Sequence, residues 1–516
     1  MTSVECFVQT LRARGISWMA TLCGHGLDPL FHAASRAGIR LIGTRNEQTA
    51  SYMAECWGRL TRRPGVCAVS SGVAHVNAMS GLADAALDGA PFLLISGAGA
   101  LSTRGLGHFQ DLDQVALARP ICRYARLIDC PERANEILET ALDRAAGPPP
   151  GPVHLTFPMD VQKAEVDPAR LIAPRRPPAL IPAGDPEGAA EALARCARPL
   201  IVAGSGVYYA EAGEAMLAFA EEFEIPVVVP IWDRGPVARA SRVFLGVLGA
   251  ASGGPRLLPD ADCVLLAGAA ADYRTGFLQP GAMAPGAVVV EMTRGWDRLP
   301  AALRQRGGNP YGDWLAEASR RRDAFRAAVA ETAARQAAGG VHAADIAAAL
   351  GEVLTGDAVL IIDGGSIGQW AHQLLCDRYP GHWLTCGRSG VVGYGIAGAM
   401  AARLAYPERP VILLSGDGAF TFNVADLESA VRQRLHFTAI VADDQGWGIT
   451  RTGHLRQFGA PVASSLGPVD FPKLAASLGA HGAAAGSRQE IAAELRAALG
   501  RDAASVIHVP IAGGNP

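Results

Sequence analysis

The chain has 516 residues, 49% of them hydrophobic and 18% charged, and a formal net charge of −3. That length suits about three domains, the composition is that of a globular protein with ample core, and so small a charge gives no basis for a nucleic-acid or anionic-membrane partner. Ten cysteines form no CxxC pair and read as reduced thiols. No apolar run reaches the ~20 residues of a membrane helix, and residues 1–15 carry an amphipathic helix pattern rather than a signal peptide. The expectation is a cytoplasmic α/β enzyme acting on a small molecule.

Taken in order, residues 1 to about 165 alternate strand and helix patterns. Strands are expected at 16–21, 39–42, 66–70, 91–96 and 151–155, with helices behind Gly24-His25-Gly26, Glu47 and Ser71-Gly72. This βα alternation implies a parallel sheet covered on both faces. Residues 171–185 are rich in proline and read as a linker. A second βα region opens with a strand at 199–203 running into Gly204-Ser205-Gly206. That turn invites a dinucleotide reading, but it lacks the GxGxxG spacing. A third begins with the strand 358–363 and the turn Gly364-Gly365-Ser366, where a helix start can offer backbone N–H groups to a diphosphate.

The stretch 411–451 carries the densest signal. The apolar run 411–415 ends in Gly416-Asp417-Gly418, read as a tight turn. A helix pattern follows from Asp426 behind the possible cap Asn423, and a second apolar run, 437–442, delivers Asp443-Asp444. Both acids then emerge at the carboxyl ends of parallel strands, the edge where α/β sheets bind ligands. Asp417 and Asp444 can hold a hard divalent cation, and glycine backbone can approach an anion closely. The plain alternative is a turn-capping Asp417 beside a solvated Asp443-Asp444 loop.

GDG, about two dozen residues and a polar pair resemble the diphosphate- and magnesium-binding motif of thiamine diphosphate (ThDP) enzymes, nearest to the acetolactate synthase, benzaldehyde lyase and 2-hydroxyacyl-CoA lyase group. Asp443-Asp444 replaces the usual Asn pair, and Ala419 a frequent Ser. The resemblance implies three doubly wound parallel-sheet domains: a pyrimidine-binding domain at 1–170, a central domain at 186–335 and a diphosphate-binding domain at 340–516. It also implies ThDP and Mg²⁺ as cofactors. Asp417, Asp444 and Gly446 become metal-site residues, and Gly365, Ser366, Gly390, Val392, Gly416, Gly418 and Ala419 join them around the cofactor. Val392 takes the position of the wedge that bends the cofactor. A second carboxylate at Asp444 would attract the cation more strongly and repel the diphosphate.

Glu47, in the context TRNEQTA, matches the family's activating glutamate. A carboxylate on the pyrimidine ring nitrogen favours the imino tautomer, whose exocyclic nitrogen then serves as base. Read alone, Glu47 is a first-turn glutamate favoured by the helix dipole. Gln110 falls in the family's FQE-like segment, and His108 and His25 are candidate proton carriers, each equally readable as a solvated loop histidine. The segment 268–274 matches the arginine-rich run of flavin-bearing relatives poorly, so FAD is not expected. The implied activity makes or cleaves a carbon–carbon bond beside a carbonyl: a 2-hydroxy ketone lyase or carboligase, with a simple 2-oxo acid decarboxylase or an acetolactate synthase-type transferase as alternatives. A non-catalytic cofactor binder would be expected to lose Glu47. A homodimer or homotetramer is implied, with Glu47 and Asp417 serving one cofactor from different subunits.

Overall fold

The computed structural model describes residues 1–167, 184–249, 254–336, 340–375 and 383–512. Its strands form three all-parallel sheets, the doubly wound architecture expected. The first contains β1 (Trp18–Leu22), β2 (Arg40–Gly43), β3 (Gly65–Val69), β4 (Phe92–Ala98), β5 (Tyr124–Leu127) and β6 (Pro152–Pro158). Its order is β2-β1-β3-β4-β6-β5. Central strands β3, β4 and β6 are buried almost throughout, as parallel strands packed on both faces must be. The helix Ser3–Ala13 starts in a Thr2–Glu5 capping box and buries Val4, Phe7, Val8 and Leu11.

The second sheet holds β7 (Pro199–Ala203), β8 (Val227–Pro230), β9 (Phe244–Leu248), β10 (Cys263–Ala267) and β11 (Val288–Glu291), in the order β11-β10-β7-β8-β9. The third holds β12 (Val359–Ile362), β13 (Trp383–Thr385), β14 (Val411–Gly416), β15 (Thr438–Asp443), β16 (His481–Ala484) and β17 (Ser505–Pro510). Its order, β13-β12-β14-β15-β17-β16, repeats that of the first sheet.

By contacts the described chain falls into two units. One holds the first sheet together with 396–408 and 423–436; the other holds the second and third sheets. Within the first unit, Arg45 N–H donates to Asp426 Oδ1 at 2.7 Å, and Tyr406 Oη to the Leu60 carbonyl at 3.0 Å.

Several local expectations need correction. Residues 171–183 of the proposed linker lie outside the described residues. The helix Asp426–Gln433 has Ala425 at its cap position and no side-chain cap. Asn423 instead donates to Gln48 Oε1 at 3.4 Å. Gly416-Asp417-Gly418 is not a tight turn: β14 passes directly into the helix Asp417–Phe422. Close neighbours, not positive φ, demand glycine there. A Cβ on Gly418 would lie 2.9 Å from the Trp447 ring, and one on Gly416 3.1 Å from the Gly364 carbonyl. The short strands β5, β13 and β16 were not foreseen.

Candidate active site

In the third sheet, β12 leads to β13 on one side and to β14 on the other, so the strand order reverses between β12 and β14. Ligands of open α/β sheets bind at such a reversal, beyond the carboxyl ends. A cavity of about 200 Å³ sits there, lined by Gly364, Gly365, Ser366, Val392, Asp417 and Asp444 among others.

Its glycines leave room that side chains would take. A Cβ on Gly364 would lie 2.5 Å from Val392 Cγ1, and Gly365, at φ +118°, would place one 3.0 Å from Gly416 Cα. Gly365 caps the helix Ser366–Leu374 with no side-chain hydrogen bond; Gly368 N–H donates to the Gly365 carbonyl at 3.2 Å, and the N–H groups of Ser366 and Ile367 are left for an anion. Asp363 is buried beneath. It accepts from Gly364 N–H at 2.7 Å, Gly393 N–H at 3.0 Å and Gly395 N–H at 2.8 Å. One carboxylate thereby joins the glycine cradle to the segment carrying Val392. Burial raises its pKa to about 6, against those three hydrogen bonds.

The acids meet as the spacing implied, because Gly416 of β14 is in register with Ala442 of β15. Asp417 is 5% exposed. Its carboxyl is pushed up to about 6, first by burial and then by the charges of Asp444 and Asp443. Its Oδ2 accepts Gly446 N–H at 3.1 Å. Burial also raises Asp444, with Arg451 opposing; Arg451 Nη2 lies 3.0 Å from Asp444 Oδ2. Asp443 turns away, accepting from Gln445 N–H at 2.9 Å and lying 2.8 Å from His508 Nε2. Gln445 takes a left-handed φ of +54°, the kind of backbone strain that collects at functional sites. Two raised carboxyls lining one cavity make a hard-oxygen donor set suited to Mg²⁺, and the cradle suits a diphosphate. The residues fit both groups.

The first sheet reverses its order in the same place, between β1 and β3. Gly26 follows β1 at φ +101°, where a Cβ would sit 2.9 Å from Ala98 N. Ser70 Oγ, after β3, donates to the His25 carbonyl at 2.8 Å. The His25 and His108 rings stack with centroids 5.5 Å apart, and Phe109 meets His25 edge-on at 5.5 Å. His25 Nε2 is buried with no hydrogen-bond partner among the described residues. Gln110, at φ +56°, accepts from Ser71 Oγ at 2.9 Å. The expected residues His25, His108 and Gln110 thus form one group. Glu47 is the first residue of its helix, behind Asn46, which caps Gln48 N–H at 2.8 Å. Asn77 Nδ2 donates to Glu47 Oε2 at 3.1 Å.

Some residues of these sites went unread in the sequence. Gln114 is buried and accepts Gly72 N–H at 2.7 Å while donating to the Gly97 carbonyl at 3.0 Å. It therefore ties the Gln110 loop to the ends of β3 and β4. Asp363, Asn77 and Arg451 were also missed. Only Arg451 left a trace, a cation just beyond an acid pair.

Among the described residues no helix is long and apolar enough to cross a membrane. Three domain models match the chain: the N-terminal TPP binding domain of thiamine pyrophosphate enzymes over residues 1–117, their central domain over 187–294 and their C-terminal TPP binding domain over 363–509. The chain is 32% identical to acetolactate synthase large subunit IlvG of Mycobacterium tuberculosis, over 98% of this chain and 94% of the relative. It is 28% identical to human 2-hydroxyacyl-CoA lyase 2, over 93% and 84%. With acetolactate synthase isozyme 2 large subunit of Escherichia coli the identity is 27%, over 99% and 96%. The cradle, the buried acids and these matches agree: the chain belongs to the thiamine pyrophosphate enzymes and is an enzyme of carbon–carbon bond formation or cleavage.

Proposed function

We propose that the protein is a ThDP- and Mg²⁺-dependent lyase or carboligase acting on 2-oxo acids, aldehydes or 2-hydroxy ketones. The observation that carries this is the pair of raised carboxyls, Asp417 and Asp444, facing a glycine cradle at a strand-order reversal. In this reading Asp417, Asp444 and the Gly446 carbonyl hold the metal. Gly365, Ser366, Gly416, Gly418 and Ala419 receive the diphosphate, and Gly390 and Val392 shape the floor. The bound cofactor supplies a nucleophilic carbon and an electron sink for the cleaved or formed bond.

The chain's own groups do the rest. Glu47, oriented by Asn77, holds a carboxylate where the cofactor's pyrimidine is to be activated. His25 and His108 move a proton at the substrate oxygen, and Gln110 orients that oxygen. The active unit is a homodimer or homotetramer with sites at the subunit interface. The domain limits proposed are 1–170, 186–335 and 340–516, and the compartment is the cytoplasm.

No flavin is assigned to the second sheet. Its strand order reverses between β7 and β10, where the turns after the two strands pack backbone against backbone. A Cβ on Gly204 would meet Ala269 Cα at 2.5 Å, and one on Gly206 would meet Gly268 Cα at 2.8 Å. Arg274, fully buried, lies 2.8 Å from Asp272 and 3.3 Å from Asp233.

The mycobacterial relative's identity favours acetolactate synthase-type transfer as a second reading. A product screen separates the two: pyruvate, benzoylformate and benzoin, each with several aldehydes, with and without ThDP and Mg²⁺. Benzoin cleavage or mixed hydroxy ketones support the lyase; acetolactate alone supports the transferase; no turnover with any substrate overturns both.

A further inference from the structure

Three aspartates stand at the carboxyl ends of β14 and β15, and their partners differ. Asp443 has His508. Asp417 has the Gly446 N–H. Asp444 has a full positive charge: Arg451 Nη2 reaches its Oδ2 at 3.0 Å, and Arg451 Nη1 donates to the Asp444 carbonyl oxygen at 3.0 Å. Both side chains are largely enclosed, at 24% and 11% exposure, so the pair is less screened than a surface ion pair.

The placement of Arg451 is unfavourable by itself. It lies in the opening turn of the helix Gly448–Phe458, which has no acidic residue in its first turn. A cation there opposes the helix dipole. The backbone makes way for it: a Cβ on Gly446 would stand 2.7 Å from Arg451 Nη1, and one on Gly448 2.2 Å from Asp444 Oδ2. Two glycines and a misplaced cation thus serve one contact, made to the side chain and main chain of a cavity-lining acid.

We propose that Arg451 sets the charge balance of the metal site. Holding Asp444 by one oxygen, it leaves the other for the cation and cancels one of the two carboxylate charges facing the cavity. It thereby weakens capture of a bare divalent cation and favours the anion that binds beside the cation. The proposal rests on Asp417 and Asp444 being the metal ligands, and it makes Arg451 a positioning residue that never touches the metal.

The signature is a pair of opposite shifts, which loss of packing does not produce. Full-length apoprotein is titrated with Mn²⁺ alone, followed by electron paramagnetic resonance, and separately with ThDP at saturating Mg²⁺, followed by tryptophan fluorescence. Arg451→Gln should bind Mn²⁺ on the order of three- to tenfold more tightly and ThDP three- to tenfold more weakly, the scale of one unit charge at short range under partial screening. Arg451→Lys keeps the charge and should sit near wild type in both titrations. If the two affinities of Arg451→Gln move in the same direction, or neither moves, the proposal is overturned. Asp417→Asn is the separate control. Loss of Mn²⁺ binding in it upholds the ligand assignment, and wild-type binding removes that assignment whatever Arg451 does.

Discussion

Strand for strand, β2-β1-β3-β4-β6-β5 and β13-β12-β14-β15-β17-β16 are one arrangement used twice, each reversing its order beside its first strand. The chemistry at the two reversals has little in common. Beyond β12, β14 and β15 stand glycines, buried acids and Arg451, a set that holds charge. Beyond β1, β3 and β4 stand His25, Ser71, His108 and Gln110, polar groups to which the proposed function gives the handling of protons, and Glu47 follows β2. One backbone plan thus fixes where a ligand binds and leaves what happens there to a few side chains.

The comparison yields a rule: changes at the first edge should slow proton movement with the cofactor still bound, and changes at the third should loosen binding. Glu47→Gln should show the largest effect. We expect kcat and cofactor C2 proton exchange to fall about 10²–10⁴-fold, with ThDP affinity within a fewfold of wild type. Parallel loss of binding would break the division of labour.

Val392→Ala is the informative exception. Val392 belongs to the third sheet's cavity, yet the wedge role assigns it to activation. Removing its methyl groups should slow proton exchange more than it weakens ThDP binding, at a stability cost of about 1–3 kcal/mol. If exchange and affinity are both unchanged, Val392 is ordinary packing and the rule holds without exception.

The smallest effect concerns the helices behind the first edge. Glu55, Asp84 and Asp88 cluster there, fully or almost fully buried, with Arg59 3.5 Å from Glu55. Burial pushes the Glu55 carboxyl up to about 7, above its value in an unfolded chain, about 4.3. The folded state therefore holds a proton that the unfolded state has released. The resulting stability is complete at low pH and is lost as pH rises through about 7. Glu55→Gln cannot titrate, so its stability relative to wild type should improve from pH 5 to pH 8, on the order of 1–3 kcal/mol. Urea unfolding at the two pH values measures it, and a constant difference would overturn it.

Much of this was legible because parallel strands declare themselves as apolar runs and their carboxyl ends follow by counting. Counting brought Asp417 and Asp444 to the carboxyl ends of their strands, and the resemblance to ThDP enzymes joined them in one site. The edge strands β5, β13 and β16 escaped because their residues are half-exposed or few: all four residues of β5 are only partly buried, and β16 is HGAA. The demand for glycine at 416–418 was visible, but its cause, the Trp447 ring and the Gly364 carbonyl, lies across space. The hydrogen-bonded group of His75, Ser96 and His154 inside the first sheet gave no sequence signal, since a histidine in a strand or helix pattern says nothing about what it faces.

The unit built on the first sheet also takes in 396–408 and 423–436, and this bears on the order of synthesis. Arg45, Leu60 and Gln48 make hydrogen bonds to residues that leave the ribosome more than 340 positions later. At elongation rates of about 5–20 residues per second, the nascent amino-terminal sheet waits roughly 15–80 s for those partners. Until then its Glu47–Thr61 helix lacks the contacts Asn423 and Tyr406 provide. A fragment ending after β6 should therefore be a poorer folder than its complete sheet suggests, and holding chaperones should find it during translation.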